Sequence, residues 1–184
     1  GIFMFGWALG QWALFKVYRA APAQNKNYET ILNIVLTTGW LSAGSFLLWL
    51  LTDNWSYQSF SLKAGIWIFL LPILFTVSHR MLPFFTSSMV KDYIIVQPRL
   101  TLLIMLSASA LHLLLDVAQL PQWLFIADIP MAATAFYHTV KWGFMRSFVD
   151  RLLAVLHLAF IWLGIGMSLF SFQSVYLLIS GELI

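Results

Sequence analysis

Residues 31–51 read ILNIVLTTGWLSAGSFLLWLL and carry no charge. About 20 apolar residues, each rising about 1.5 Å, cross roughly 30 Å of hydrocarbon as a helix, so this stretch is read as a membrane span. Comparable blocks recur at 64–85, 100–115, 123–140 and 152–172, with a shorter one at 1–15. Backbone donors and acceptors in lipid must be paired inside a helix or a closed barrel. A barrel would need short alternating strands, whereas these blocks are continuous runs. The expected fold is therefore all-α: a polytopic transmembrane helix bundle of about six helices, with a truncated seventh beginning in residues 173–184. Residues 1–184 form a single membrane region without a soluble domain or repeat. Both ends read as cut, so the chain is taken as a fragment of a larger bundle, its partners being the lipid bilayer and the remaining helices.

Composition agrees. Hydrophobic residues make up 61% of the chain and charged ones 9%, against roughly a quarter charged in soluble domains. The net charge of +3 comes from ten basic residues scattered between the blocks, which form no duplex-binding stripe, so nucleic acid is excluded. With no cysteine, disulfides, thiolate metal sites and cysteine nucleophiles are excluded too. Phosphate-cradling loops, His-Glu-x-x-His and Gly-x-Ser-x-Gly are absent.

The loops carry the orientation. Lys16, Arg19 and Lys26, then Lys91 and Arg99, then Lys141, Arg146 and Arg151 occupy alternate loops, while the loops between them hold only Lys63 among basic residues. The positive-inside rule places the basic loops in the cytoplasm. Arg146 and Asp150, four apart, read as a local ion pair. Trp142 reads as an anchor at the inner interface, and Trp162, in mid-span, as packed within the bundle.

Polar residues inside spans are costly and mark candidate sites. Pro72, Thr76, His79 and Pro83 share one helical face. Asp150, Ala154, His157, Ile161, Gly164, Ser168 and Ser171 make a second stripe of small and polar residues, the kind that packs against other helices. His79 and His157 are placed at similar depth near the cytoplasmic ends of two helices, and paired imidazoles across a bundle suit haem iron or copper. His112, four residues before Asp116, is a weaker metal candidate whose imidazole a carboxylate could orient. His138, beside Lys141 and Trp142, is another. Asp128, inside a span just before Pro130, needs a proton or a partner: His112, or a group elsewhere in the protein.

The string Ser78-His79-Arg80-Met81-Leu82-Pro83-Phe84-Phe85-Thr86 resembles the Arg-x-x-Pro-Phe-Phe-Thr motif of the NnrS family, and Leu156-His157 through Trp162 resembles that family's Leu-His-x-x-x-x-Trp helix. The resemblance implies a bacterial inner-membrane protein that holds haem and copper and acts in protection against nitric oxide and nitrosative stress. It implies roles for Arg80, Pro83 and His157. His157 would be a metal ligand, joined by His79, which stands where the family's motif has glycine and is drawn in by its depth; Arg80 would pair with a haem propionate, and nitric oxide would be the small ligand. A transporter or channel-like protein using proline-kinked helices and the buried Asp128 is the alternative.

Overall fold

The computed structural model describes residues 1–22 and 26–181. Its helices are α1 (Ile2–Ala20), α2 (Asn27–Thr52), α3 (Trp55–Ala64), α4 (Leu71–Met89), α5 (Arg99–Val117), α6 (Phe125–Lys141) and α7 (Arg151–Ser180). A π-turn at Gly65–Leu70 joins α3 to α4, so Trp55–Met89 runs as one 35-residue rod. Short 3₁₀ turns at Pro121–Trp123 and Phe144–Val149 precede α6 and α7. No strand occurs among the described residues. Seven helices thus make six rods, because the apolar tail from Gln173 extends α7 to Ser180 instead of opening a separate helix. Glu182, the one charge expected in that tail, lies outside the described residues.

Four rods are long and apolar enough to cross a membrane: Asn27–Thr52, Trp55–Met89, Arg99–Val117 and Arg151–Ser180. The remaining two, α1 and α6, were also expected to span. The apolar run of α1 is cut short by Lys16 and Arg19, and α6, with 17 residues, is broken up by Asp128, Pro130, Thr134 and His138.

The chain divides into two units, Gly1–Thr76 and Val77–Ile184, with the boundary inside α4. In the first unit α2 turns Val35, Gly39, Ser42 and Ser45 inward, a seam of mostly small residues that lets helices approach closely. Ser42 Oγ donates to the Ser61 carbonyl at 2.7 Å and Ser61 Oγ to the Ser42 carbonyl at 2.8 Å. Ser45 Oγ donates to Tyr57 O at 3.0 Å. Thr38 Oγ1 lies 2.6 Å from Ile68 O. Pro72, four residues beyond Ile68, has no N–H to give that carbonyl. The neighbouring helix therefore completes a bond that proline removes, in the way proline is accommodated in membranes.

Gly39 sits against the Phe69 ring, where an added Cβ would overlap the ring carbons, whereas nothing lies within 4 Å of a Cβ built on Gly10. Gly39→Ala should therefore destabilise the protein by about 1–2 kcal/mol through overpacking. Gly10→Ala should leave stability within about 0.5 kcal/mol. Reversible unfolding in mixed detergent micelles measures both, and equal effects would refute the close contact.

In the second unit α6 is central, packed between α5 and α7. Asp128, Met131, Ala135 and His138 follow one face of α6 and are each 0% exposed. The buried face of α7 is Leu153, Ala154, His157, Phe160, Gly164, Met167, Ser171 and Ser174. This matches the expected stripe at four positions, whereas Ile161 and Ser168 are only half-buried. Asp150 caps α7, its carboxylate accepting from Leu153 N–H at 3.0 Å, and Arg146 donates to the Lys91 carbonyl. The expected Arg146–Asp150 pair is thus replaced by other partners. The intervening residues form a 3₁₀ turn, with three residues per turn, so positions four apart do not align.

Candidate functional site

All the histidines fall in the second unit, and all are buried: His79 and His157 at 1% exposure, His112 at 3% and His138 at 0%. Three of them gather toward the end where the α4–α5 and α6–α7 loops meet. That meeting, with Arg146 bonded to Lys91 O, brings two of the expected basic loops to one side.

His79 reaches the mouth of α5, its Nε2 lying 3.1 Å from Pro98 O. A carbonyl only accepts, so Nε2 carries the proton and Nδ1 the lone pair. The His79 ring meets that of His138 edge-on, centroids 5.3 Å apart and planes at 89°. His138 in turn stacks on Trp142, at 4.3 Å and 26°. Trp142 donates its Nε1–H to Val96 O at 3.0 Å and leans on Phe160 at 4.9 Å. Neither ring nitrogen of His138 has a hydrogen-bond partner. Buried polar atoms are normally paired, so an orphan of this kind calls for an explanation.

His157 sits one level further along. Its Nε2 is 3.0 Å from Thr86 Oγ1, and Thr86 donates its own hydroxyl hydrogen to Leu82 O at 2.8 Å. Thr86 must then accept from His157, which fixes His157 as the Nε2–H tautomer with its lone pair on Nδ1. The expected pairing of His79 with His157 is accordingly redistributed: His79 meets His138, and His157 meets Thr86. Seven residues separate His79 from Thr86, about 10 Å along α4. The reason lies in helix length. The α4 helix runs on to Met89, so residues placed level by expected span ends are offset in the folded helices. Arg80 points its side chain to the exposed face, and its backbone carbonyl accepts from Gln97 Nε2 at 3.0 Å.

The α4–α5 loop closes this end. Gly143, at φ 83°, ends α6 in the left-handed region that favours glycine, and an added Cβ would approach Tyr93 and Thr86. Burial pushes the Tyr93 phenol above its usual range against an opposing pull from Arg146, so Tyr93 stays neutral beside the cluster.

Toward the other end, His112 Nδ1 and Asp128 Oδ1 are 2.6 Å apart. Of the two partners expected for Asp128, the structure supplies His112. Asp128 Oδ2 is buried without a partner. Ten residues separate Asp128 from His138, about 15 Å along α6, so the two polar centres are distinct. Among the described residues no group of three or more His, Cys, Asp or Glu is arranged to hold a metal ion.

Three contributors escaped the sequence reading. Trp142, expected at the lipid interface, is 1% exposed and supports His138, while Trp162, expected inside, is 67% exposed. Thr86 orients His157. The carbonyls of Val96 and Pro98 act through backbone alone. A signal existed for Trp142, four residues after His138 and so one helical turn away. The two apolar grooves of the first unit, about 380 and 480 Å³, are lined by Phe3, Trp7, Gly39 and Phe69 and by Phe3, Gly6, Gly10 and Leu36 among others, and contain no histidine. The buried histidines of the second unit mark the candidate site.

A family model described as NnrS protein matches residues 2–183, nearly the whole chain, and the chain belongs to that family. No curated protein and no solved structure matches it.

Proposed function

We propose that this NnrS-family membrane protein binds haem and copper through its buried histidines and protects the cell against nitric oxide and nitrosative stress. One observation carries the reading: Thr86 of the Arg-x-x-Pro-Phe-Phe-Thr stretch bonds His157 of the Leu-His-x-x-x-x-Trp helix at 3.0 Å. Two motifs that are 71 residues apart therefore close on one buried pair, about 10 Å along α4 from the contact of His79 with His138. The donor set suits such groups, because neutral imidazoles with one nitrogen bonded to an oxygen acceptor are how proteins present histidine to metals.

When bound, haem iron or copper would supply a redox-active centre to which nitric oxide can coordinate. The chain's own part is to hold and orient that centre. His79 and His157 offer Nδ1 lone pairs, set by Pro98 O and Thr86. His138 offers a ring without other partners, and His112 at the far end is a weaker candidate. Trp142 and Phe160 exclude water from the cluster. Arg80, one residue from His79 on the exposed face, would meet a carboxylate such as a haem propionate at the rim. The loops carrying Lys91 and Arg146, which meet in the fold, are assigned to the cytoplasmic side of the bacterial inner membrane.

Full-length protein purified from membranes should show a Soret band and contain copper by elemental analysis, and His157→Ala should lose at least one of the two. A His157→Ala protein with its full complement of both would remove His157 from the site. A metal-free wild type would overturn the whole reading and favour a transporter built on the buried His112–Asp128 pair.

A further inference from the structure

One side of α1 faces away from the rest of its unit and ends in two cations. Phe5, Leu9, Trp12, Lys16 and Arg19 follow at spacings of four, three, four and three, which sets them along a single helical face. The opposite face packs on α2, where Gln11 Nε2 lies 3.3 Å from Asn33 O and Trp40 Nε1 donates to Met4 O at 3.0 Å. Phe5, Leu9 and Trp12 are 67%, 50% and 57% exposed, and both cations are exposed as well. Lys16 Nζ stands 3.4 Å from the centroid of the Trp12 ring, and the Arg19 guanidinium lies 6.0 Å from that of Phe15. Among the described residues these rings are their partners, and neither cation meets a carboxylate.

We propose that this face of α1 binds one phospholipid of net negative charge, its phosphate held by Lys16 and Arg19 and an acyl chain laid along Trp12, Leu9 and Phe5. The site is separate from the histidines and does not depend on the haem and copper reading. Three considerations select the occupant. The first is charge. Residues 16–30 hold Lys16, Arg19 and Lys26 against Glu29, three cations to one anion, a balance of +2. A zwitterionic headgroup would bring its own ammonium into that excess, whereas a headgroup carrying only the phosphate charge would not. Lys26 donates to the carbonyls of Tyr18 and Ala21, which offsets the negative end of α1 that would otherwise repel a phosphate. The second is preparation. Arg presents a planar fork to phosphate oxygens and Lys a point charge, and Trp12 already holds the Lys16 ammonium, so less side-chain freedom is lost on binding. The third is depth. Eleven residues from Phe5 to Lys16 rise about 16 Å, matching one leaflet of a hydrocarbon core roughly 30 Å thick. A soluble anion would meet the two cations but gain nothing from the apolar side chains that continue the same face.

The test titrates the full chain in detergent with phosphatidylglycerol, and with phosphatidylcholine as the zwitterionic reference, and counts bound lipids by native mass spectrometry. The wild type is expected to bind a first phosphatidylglycerol more tightly than any phosphatidylcholine, a comparison that needs no variant. Lys16→Gln with Arg19→Gln should weaken that first binding about thirtyfold, about fivefold for each charge removed near a headgroup. Lys91→Gln with Arg99→Gln removes two other exposed charges and should leave it unchanged, as should inorganic phosphate compared with sodium chloride at matched ionic strength. Equal affinity of the wild type for the two lipids, or unchanged binding in the Lys16 and Arg19 variant, would overturn the proposal. An equal loss in the Lys91 and Arg99 variant would overturn it in favour of general surface attraction, and displacement by inorganic phosphate in favour of a free-anion site. A wild type found as a dimer that takes up no lipid would overturn it by giving this face to a second copy of the chain. Each of these results can be obtained on metal-free protein, so failure here leaves the haem and copper reading standing, and failure of that reading leaves the lipid site standing.

Discussion

His112→Leu is expected to lower the stability of the protein by about 3–5 kcal/mol, the range for breaking a buried pair by removing one partner. The substitution keeps an apolar side chain of moderate size at a position 3% exposed, so little of the effect comes from an empty cavity. The loss arises at Asp128. Its Oδ2 is already buried without a partner, and without the 2.6 Å contact to His112 Nδ1 its Oδ1 would be stranded too. A fully orphaned carboxyl at 0% exposure has no water to turn to. Replacing both residues, as His112→Leu with Asp128→Leu, should recover most of the loss, because exchanging a whole buried pair for apolar groups is near neutral or stabilising. Reversible unfolding of the two single variants and the double variant in mixed micelles closes the cycle. A double variant whose loss equals the sum of the two single losses would show that the pair contributes no coupling, and that the losses come from packing alone.

If His157 holds a metal as proposed, Thr86→Val is expected to weaken its retention by about 10–100-fold, the usual effect of removing a group that orients a ligand histidine, and in any case to cost about 1–3 kcal/mol for the buried N–H left unsatisfied. Valine preserves the shape and removes only the hydroxyl. Without that acceptor the ring of His157 is free to adopt the other tautomer and to rotate, and Nδ1 no longer reliably carries the lone pair. Thr86→Ser restores the hydroxyl and should restore both properties. Chelator competition reads the first effect and micelle unfolding the second. Wild-type behaviour in Thr86→Val would mean that the 3.0 Å contact with His157 does no orienting.

The legible part of this molecule was the part dictated by local composition. The uncharged run of α2 and the dense apolar run of α5 announce themselves, because a span must be apolar whatever it packs against. Helix lengths were less legible. Residues 55–63 contain serines, Gln58 and Lys63, a composition that reads as loop, yet they form a helix continuous with the rod ending at Met89. Span ends judged from hydropathy consequently placed His79 level with His157, when the folded α4 puts Thr86 there. Asp128 illustrates the remaining gap. Its position inside a span demanded a partner, and His112 could be named as one of two possibilities. Choosing between them needed the crossing of α5 and α6, which no local pattern encodes. Trp142 and Trp162 exchanged their expected environments for the same reason: aromatic residues suit both lipid and core, and only the facing helix decides.

The α4–α5 connection holds the histidine cluster through its main chain. Val96 and Pro98 each contribute a carbonyl oxygen, to Trp142 and His79, while the side chains of the preceding Ile94 and Ile95 are 82% and 50% exposed. A grip made of peptide oxygens is indifferent to which side chains hang from it. Residues 94–96 are thus open to substitution wherever the path of the chain is preserved, and a saturation library across them should be nearly silent for the stability of the fold. Insertions or deletions in the same stretch, which shift the oxygens without changing their chemistry, are the lesions to which this end of the protein is vulnerable.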